Sequence, residues 1–230
     1  MTISVIIPTL NESSTIARTL TRTVALGFDE IIVSDGGSTD PTVPMVQVCC
    51  DRVPSTRLVT GPTGRARQLN TGARASGGEI LLFLHADTEL PPTAKTVIEA
   101  TLADQTIVGG RFDVRFDRPS RWGNTISWFM NRRSRMTGIA TGDQAIFVRR
   151  QVFEQIGGFP DIPLMEDIEF SCRLKRLGST APLTETVTTS FRRWERNGPL
   201  RTILLMWTLR FLYWLGVNPH RLNHFYRAVR

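Results

Sequence analysis

The sequence is poor in cysteine, with only Cys49, Cys50 and Cys172 among its 230 residues. Their spacing matches no metal-ligand pattern, and they form no even set that could hold a small secreted scaffold together, so a reducing cytosol is the expected setting. The sequence also lacks a Gly-x-Gly-x-x-Gly motif at its glycine-containing turn SDGGSTDP. That absence disfavours a dinucleotide-binding fold.

Lysine is almost absent, since Lys95 and Lys175 are the only lysines among 28 basic residues. With 21 acidic residues the net charge is +7, and the pI is about 10.3. Arginine suits bidentate binding of phosphate. A basic surface can serve nucleic acid, an anionic membrane or a phosphorylated small molecule. Because no nucleic-acid-binding motif accompanies the charge, we do not expect nucleic acid as a partner.

No apolar run reaches the roughly 18 uncharged residues that a spanning helix requires. The most apolar stretch, PLRTILLMWTLRFLYWLGVNP, is interrupted by Arg201 and Arg210, so we predict that it does not cross a membrane. It could dock on its own core, pack on a partner protomer in a homo-oligomer, or lie on an anionic membrane surface. The basic end, RLNHFYRAVR, slightly favours the membrane surface.

The rest of the composition is that of an ordinary globular protein, with 41% hydrophobic and 21% charged residues. The first residues, MTISVIIPTL, lack the basic segment and cleavage site of a signal peptide, so we predict a strand there. Apolar runs then alternate with helical spacing as far as residue 103. This alternation predicts right-handed βαβ units and a parallel sheet. Further along, we predict a strand over Val108–Phe116, a helix over Ser120–Asn131 and a helix over Glu166–Leu177.

Polar side chains follow several predicted strands at the point where each strand ends. The run LLFLHADTEL leads from a buried strand into His85, Ala86 and Asp87, while PTLNES and SDGGSTDP place Glu12 and Asp35 after the first two strands. Ligands of open α/β sheets bind at these carboxyl ends. Helix capping and turn formation explain many of the neighbouring serines and glycines. Arg65 follows Gly64 near a predicted helix start, where it could bind phosphate or simply solvate the helix.

Six segments occur in an order that resembles glycosyltransferase family 2: SVIIPTLNE, IIVSDGGSTD, GGEILLFLHADT, GDQAIFVRR, IGGF and MEDIEF. The resemblance covers roughly residues 2–195. It implies an inverting enzyme that uses a nucleotide-sugar donor. The implied fold is α/β of the GT-A type, a Rossmann-like, mostly parallel central sheet flanked by helices. We therefore expect a GT-A domain over residues 1–195 and a helical extension over residues 196–230.

In that resemblance, His85-Ala86-Asp87 lies where the family carries its DXD motif. Asp87 is then expected to hold Mg²⁺ or Mn²⁺ on the donor diphosphate. His85 departs from the motif, and it either binds the metal, favouring Mn²⁺, or bonds ribose or phosphate, or merely caps the strand. Short soluble chains with this variant resemble a subgroup linked to arsenosugar biosynthesis, which suggests a small-molecule acceptor. Polyprenyl phosphate is the alternative acceptor.

The same resemblance implies roles for further residues. Asp167, in the Glu166-Asp167 pair, is expected to be the general base, with Asp143 as the alternative. Without the neighbouring motifs, the pair would be interpreted as acids in the first turn of a helix, where they interact favourably with the helix dipole. Gly142, Asp143 and Gln144 form an acceptor-side loop. The residues expected to bind the donor nucleotide are Pro8, Thr9, Asn11, Glu12, Asp35, Gly36, Arg65, His85, Ala86 and Asp87.

The segment RRWERNG places Arg192, Arg193 and Trp194 where they could close over the diphosphate. It lacks the glutamine of the QxxRW motif of processive polymer synthases, so a processive enzyme is disfavoured.

The sequence therefore predicts a metal-assisted inverting glycosyltransferase, with a UDP-sugar as the favoured donor, in the cytoplasm or at the inner face of its membrane. Two alternatives remain. A nucleotidyltransferase would need a glycine-rich loop near the N-terminus, and PTLNESS has no glycine. An inactive module that binds anions or membranes is favoured by His85 and by the apolar C-terminal stretch.

Overall fold

A computed structural model of the protein describes residues 1–229, and the side chains of Arg193 and of residues 227–229 lie outside that description. Within the described chain an eight-stranded sheet has the order β3-β2-β1-β4-β7-β6-β8-β5. The strands are β1 (Ile3–Thr9), β2 (Glu30–Asp35), β3 (Thr56–Thr60), β4 (Ile80–Phe83), β5 (Thr88–Glu89), β6 (Ile107–Phe116), β7 (Ile146–Arg149) and β8 (Ser179–Thr189). The fold is thus α/β with a mostly parallel central sheet, as predicted.

The first four strands in the sheet order are all parallel to one another. Helices α1 (Ile16–Val24), α2 (Thr42–Arg52) and α3 (Arg65–Ala75) follow β1, β2 and β3. In β1 the side chains alternate between two cores, with Ile3, Val5 and Ile7 in one and Ile6 in the other. The β1–β2 register sets Thr9 opposite Asp35. Both strands therefore end at one edge of the sheet, and the loops that follow them begin there.

The second half of the sheet is mixed. Strand β7 is antiparallel to both β4 and β6, β8 is parallel to β6, and β5 is antiparallel to β8. Four more helices cover this half, α4 (Ala94–Leu102), α5 (Arg121–Thr137), α6 (Arg150–Gln155) and α7 (Glu166–Leu177). Helix α5 extends beyond its predicted end at Asn131. It ends at Gly138, which adopts the left-handed conformation with φ 69° that terminates many helices.

Two hydrophobic cores lie against the sheet. One of them includes an aromatic cluster of Phe83, Phe153, Phe159 and Phe170. In it the rings of Phe159 and Phe170 stack with centroids 4.2 Å apart. Since Phe170 belongs to α7, this packing fixes the helix against the sheet and sets the position of its first residues.

Three helices complete the described chain, α8 (Arg192–Asn197), α9 (Pro199–Trp214) and α10 (Pro219–Val229). The inner face of α9 contributes Leu209 to a small core with Met165 and Leu222. The Tyr213 hydroxyl also donates a hydrogen bond to Glu169 of α7, at 3.1 Å. The outer face of α9 is apolar and exposed. No helix in the described part of the chain is both long and apolar enough to cross a membrane.

Candidate active site

The ends of β1 and β2 form a rigid double loop. Asp35 is buried, and its Oδ2 accepts hydrogen bonds from the backbone N–H groups of Gly37 and Ser38, at 2.9 and 2.8 Å. Its Oδ1 accepts from the Thr9 and Ser38 hydroxyls, at 3.1 and 2.5 Å. Asp35 therefore holds the Gly36-Gly37 turn in shape, and much of its hydrogen-bonding capacity is used within the loop.

Asn11 ties the first loop to the second. Its backbone lies in the left-handed region with φ 56°, and its side-chain oxygen accepts from the Thr39 N–H at 2.8 Å. The Oε2 atom of the next residue, Glu12, accepts from the hydroxyl of Thr15, just before α1, at 3.1 Å. The loop is thus ordered before any ligand arrives.

His85 and Asp87 follow β4 at the same edge. The His85 ring is largely buried, with Nδ1 3.0 Å from Asp143 Oδ1. Its Nε2 side lies so close to Gly142 that a Cβ atom there would collide with the ring. His85 therefore contacts the 142–144 turn through both sides of its ring. Asp87 is 27% exposed, and burial raises the pKa of its carboxyl, while the charges of His85 and Arg192 oppose that shift.

Arg192, from the start of α8, reaches over these strand ends. Its Nη1 donates to the Ser14 hydroxyl at 2.8 Å, and its Nη2 lies 3.5 Å from Glu12 Oε2 and 3.9 Å from Asp87 Oδ2. One guanidinium thus spans the predicted nucleotide side and the predicted diphosphate side.

Trp194 follows two residues after Arg192. The Trp194 ring packs edge-on against Phe116, with centroids 6.0 Å apart, so it takes part in anchoring α8. The side chain of Arg193 lies outside the described residues.

Glu166 and Asp167 begin α7, directly after Met165. Met165 has a φ of 70°, a rare and strained conformation for a residue other than glycine, and its buried side chain packs with Leu209. Glu166 is only 5% exposed, with Oε1 3.5 Å from Nη1 of Arg65. Burial raises the pKa of Glu166, and the Arg65 charge opposes the rise. Arg65 is thus held by a buried acid.

Asp167 joins this pair to the turn at residues 142–144, which the sequence predicts to bind the acceptor. Its Oδ2 accepts from the Gly142 N–H at 2.9 Å, and its Oδ1 accepts from the Ile168 N–H at 2.8 Å. Gln144, in the same turn, is fully buried and donates to the Phe112 carbonyl at 3.4 Å. Asp143 is 45% exposed. Of the three turn residues, Gln144 therefore supports the backbone, while Asp143 faces the open site.

The structure brings together Glu12, Asp87, His85, Asp143 and Asp167 through a series of side-chain contacts and short stretches of chain, with Arg192 at one end and Arg65 beside Glu166 at the other. Pro8, Thr9, Asn11, Asp35 and Gly36 lie next to this series, in the strand ends and the double loop. Ala86 is buried, and its carbonyl accepts from the Thr19 hydroxyl at 2.7 Å.

Two arginines near Asp167 belong to none of the motifs identified in the sequence. Arg133 of α5 and Arg210 of α9 both lie close enough to Asp167 for its charge to act on their guanidinium groups. Arg210 had appeared in the sequence only as an interruption of an apolar stretch. The one local signal is that Arg210 follows Leu209, a residue that packs in the core.

The acids present fit a cation that is shared with a substrate, not a self-contained metal site. Among the residues that the structure describes, no three His, Cys, Asp or Glu side chains are grouped as metal ligands. Mg²⁺ is usually held by one or two carboxylates, with substrate phosphates and water filling the other positions. Asp87 can supply one such carboxylate, and a cation beside it would offset the cost of burying its charge.

The chain matches the family model described as Glycosyl transferase family 2 over residues 4–157, which is more than half of its length. The probable glycosyltransferase YdaM of Bacillus subtilis is 28% identical over 204 residues, covering 76% of this chain and 47% of YdaM. An undecaprenyl-phosphate 4-deoxy-4-formamido-L-arabinose transferase of Edwardsiella ictaluri is 29% identical over 144 residues, covering 58% of this chain and 41% of the relative. The chain thus spans about half the length of these curated relatives.

Solved structures share the fold. The mannosyltransferase PcManGT from Pyrobaculum calidifontis, in complex with GDP-Man and Mn²⁺, has a TM-score of 0.66 and 24% identity, covering 82% of this chain and 56% of its own. The TarS 1-349 fragment from S. aureus has a TM-score of 0.67 and 18% identity, covering 83% of this chain and 60% of its own. At these identities the likeness concerns the architecture, which is that of GT-A glycosyltransferases.

Proposed function

Because the chain belongs to glycosyl transferase family 2, we propose that it transfers a sugar from a nucleotide-diphosphate donor to an acceptor. We further propose a UDP-sugar as the donor, a divalent cation as the cofactor, and inversion at the anomeric carbon.

One observation carries the proposal: the candidate base and the candidate cation ligand belong to one connected site. Asp167 binds the Gly142 N–H, and the neighbouring Asp143 contacts His85, which is two residues from Asp87. Transfer requires a base beside the acceptor and positive charge beside the leaving diphosphate, held in a fixed relation. The short contacts between these residues supply such a relation.

In this proposal the donor nucleotide lies over the carboxyl ends of β1 and β2, where ligands of open α/β sheets bind. Asp35 shapes the loop from beneath, because its oxygens are engaged there. Glu12 is more exposed than Asp35, and its Oε1 accepts no hydrogen bond from the described residues. It is therefore the better candidate to accept a hydrogen bond from ribose or base.

The donor diphosphate would lie between Asp87 and Arg192. Asp87 would share a cation with the phosphate oxygens, and PcManGT, of the same fold, was solved with GDP-Man and Mn²⁺. When bound, such a cation supplies electrostatic stabilisation of the leaving group. Arg192, now 3.9 Å from Asp87, has a guanidinium that can turn its donors to a phosphate oxygen.

We assign the base to Asp167 in preference to Asp143, because Asp167 is oriented by two backbone N–H groups while Asp143 contacts His85. The Asp167 carboxylate takes the proton of the acceptor hydroxyl as that oxygen attacks the anomeric carbon, from the face opposite the diphosphate. The bond from that carbon to the diphosphate breaks, and its electron pair leaves with the nucleoside diphosphate. The configuration at the anomeric carbon is thereby inverted.

The C-terminal extension also has a proposed role. On α9 the exposed apolar side chains recur at one face, namely Leu200, Leu204, Trp207, Phe211 and Trp214. Residues 196–230 contain several arginines and no acidic residue. Exposed aromatic side chains with a positive border suit an anionic lipid surface. We therefore propose that this outer face contacts such a surface while the inner face packs on α7.

Donor hydrolysis tests the proposed activity. The protein should slowly release UDP from a UDP-sugar in the presence of Mn²⁺, and Asp87→Ala should abolish the release. Arg57→Ala is a suitable control, because Arg57 pairs with Glu30 on β2 and lies outside the series of active-site contacts. Equal UDP release from the unaltered protein and Asp87→Ala would contradict the proposal and favour an inactive binding module.

A further inference from the structure

Two arginines near Asp167 each have one buried guanidinium nitrogen without a hydrogen-bond partner. The Nη2 atom of Arg133 and the Nε atom of Arg210 are both buried, and neither has a hydrogen-bond acceptor among the described residues. They come from different helices, α5 and α9. Buried polar groups in folded proteins are nearly always paired, so two orphaned guanidinium nitrogens in one place require an explanation.

The positive charges of Arg133 and Arg210 add to the cost of leaving these nitrogens unpaired. Burial lowers the pKa of Arg133 to about 10, and the nearby Arg210 adds to that effect. Burial also lowers the pKa of Arg210, while Asp167 and Asp143 act in the opposite direction. The two cations therefore repel each other in a poorly solvated place, and the fold tolerates that cost.

The nearby acids do not satisfy these two nitrogens. Asp167 accepts backbone N–H groups from Gly142 and Ile168, and no hydrogen bond joins Asp167 or Asp143 to Arg133 Nη2 or Arg210 Nε. In the described part of the chain, no acid comes within 4.0 Å of either guanidinium to form an ion pair. The charges of Asp167 act on both arginines from a distance only.

The donor-side arginines provide a contrast. Arg65 pairs with Glu166, and Arg192 pairs with Glu12 and donates to Ser14. Arg111 of β6 also has one buried nitrogen without an acceptor, Nη2, but its Nε donates to the Ser134 hydroxyl and its Nη1 lies 3.5 Å from Asp113 Oδ1. Arg133 and Arg210 have no such ion pair among the described residues, and both lie near the proposed base. The position of the unpaired charge thus points to the acceptor and not to the donor.

We propose that Arg133 and Arg210 bind a phosphate group carried by the acceptor. This inference rests on the proposed glycosyl transfer and names the class of its acceptor, a phosphate monoester. The guanidinium fork matches phosphate oxygens with paired, charge-assisted hydrogen bonds. Binding would supply the missing acceptors and would place the acceptor next to Asp167.

Two sources share this chemistry, a phosphorylated soluble alcohol and a polyprenyl phosphate. With the first, the phosphate anchors the molecule and a separate hydroxyl reacts. With the second, a phosphate oxygen attacks the anomeric carbon, the nucleoside diphosphate leaves with the electron pair of the broken bond, and any proton on that oxygen passes to Asp167. Arg210 shares α9 with the exposed apolar face, which makes a lipid-linked phosphate compatible with the site.

Equilibrium binding without donor tests the inference. The probes are farnesyl phosphate against farnesol, and glycerol 3-phosphate against glycerol. We expect the unaltered protein to bind at least one phosphate roughly tenfold or more tightly than its alcohol. Arg133→Gln and Arg210→Gln should each weaken phosphate binding about 10- to 100-fold, since a hydrogen bond to a charged group is lost. Preference for farnesyl phosphate alone would identify a lipid-linked source, and preference for glycerol 3-phosphate would identify a soluble one.

Matched controls come from the same two helices. Arg132→Gln on α5 and Arg201→Gln on α9 remove exposed arginines and should retain the preference for phosphate. Melting temperatures add a second readout. Removing an unpaired buried charge should leave the ligand-free protein as stable as before or more stable, whereas a structural role for Arg133 or Arg210 requires a clear loss of stability.

The inference is overturned if neither phosphate is preferred over its alcohol, or if the control variants lose binding as much as Arg133→Gln and Arg210→Gln. It is also overturned if both site variants melt at clearly lower temperature and still bind phosphate. Because no donor is present, these results do not depend on sugar transfer. Failure of UDP release would leave the anion site standing, and failure of phosphate binding would leave donor hydrolysis intact.

Discussion

His85 Nδ1 lies 3.0 Å from Asp143 Oδ1, so His85, which occupies the position predicted for the first aspartate of a DXD motif, connects the end of β4 to the turn predicted to bind the acceptor. An aspartate at position 85 would face Asp143 with a like charge, whereas an imidazole can donate to it. Thus His85 is suited to fixing the distance between the cation side and the acceptor side, whether or not it also contacts a metal. The variant motif is then compatible with an active enzyme.

Gly142→Ala should disrupt this connection, because the new Cβ would collide with the His85 ring. We expect kcat to fall on the order of 10²-fold through misplacement of the reacting groups, and the free energy of unfolding to fall by about 1–3 kcal/mol through overpacking. Steady-state kinetics and urea denaturation measure the two effects. Gly77→Ala is the matched control, since no atom lies within 4 Å of a Cβ built there. Equal activity of the two variants would show that the close contact at Gly142 is unimportant.

Asp167→Asn and Asp143→Asn separate the two candidate bases. Asp167→Asn should lower kcat by about 10²–10⁴-fold, the usual contribution of a general base, with little change in the KM for the donor. Asp143→Asn should act mainly on the KM for the acceptor, because Asp143 lies on the exposed side of the turn. Initial rates with each substrate varied in turn distinguish the outcomes. The reverse pattern would transfer the role of base to Asp143.

The pH dependence of stability should report the burial of Glu166. Its pKa is raised above the ordinary 4.5 by burial, so the folded state retains the proton to higher pH than the unfolded state does. The stabilising contribution of the protonated acid is complete below pH 4.5 and is lost as the pH rises through the folded-state pKa. Glu166→Gln keeps the neutral form at every pH.

We therefore expect the free energy of unfolding of Glu166→Gln to increase relative to that of the unaltered protein as the pH rises from 4.5, so that the variant becomes relatively more stable. Urea denaturation at a series of pH values measures this difference. Glu154→Gln is the control, because Glu154 is exposed on α6. A difference that is constant with pH would show that Glu166 titrates normally in the folded protein.

The parallel half of the sheet was predictable because its strands are continuous buried apolar runs, separated by helical spacing and glycine-rich breaks. Strand β8 was not predicted, since STAPLTETVTT is rich in threonine and contains a proline. Its place in the sheet comes from pairing with β6, a partner distant in sequence. Local pattern carries little information about such a pairing.

The candidate site, too, was predictable from the sequence only in part. Glu12, Asp87 and Asp167 could be proposed from motifs, because each lies beside a strand end or a helix start. The contact of Arg192 with Glu12 joins opposite ends of the chain, and Arg133 and Arg210 meet near Asp167 only after α5 and α9 have packed. A single arginine in a basic protein has no local feature that reveals burial, so this part of the site required the three-dimensional structure.

The outer face of α9 should bind anionic lipid through its tryptophans. Trp207 and Trp214 are 70% and 78% exposed. We expect the protein to co-sediment with vesicles of equal parts phosphatidylcholine and phosphatidylglycerol, and not with phosphatidylcholine alone. Trp207→Ala and Trp214→Ala should each weaken binding about tenfold, since burial of a large apolar side chain is worth roughly 1.5 kcal/mol or more. Salt should weaken it too, because the arginines of this segment are screened.

Trp122→Ala supplies the matched control, since it removes an exposed tryptophan from α5 instead of α9. If α9 contacts lipid, this variant should bind vesicles as the unaltered protein does. Gel filtration of the same proteins tests the remaining alternative, which is that the outer face of α9 packs on a partner protomer. A shift from dimer to monomer in Trp207→Ala, without any vesicle binding by the unaltered protein, would identify the outer face of α9 as a contact between protomers. A lipid-linked acceptor would then lose its structural support, while the phosphate site beside Asp167 would still be open to a soluble ester.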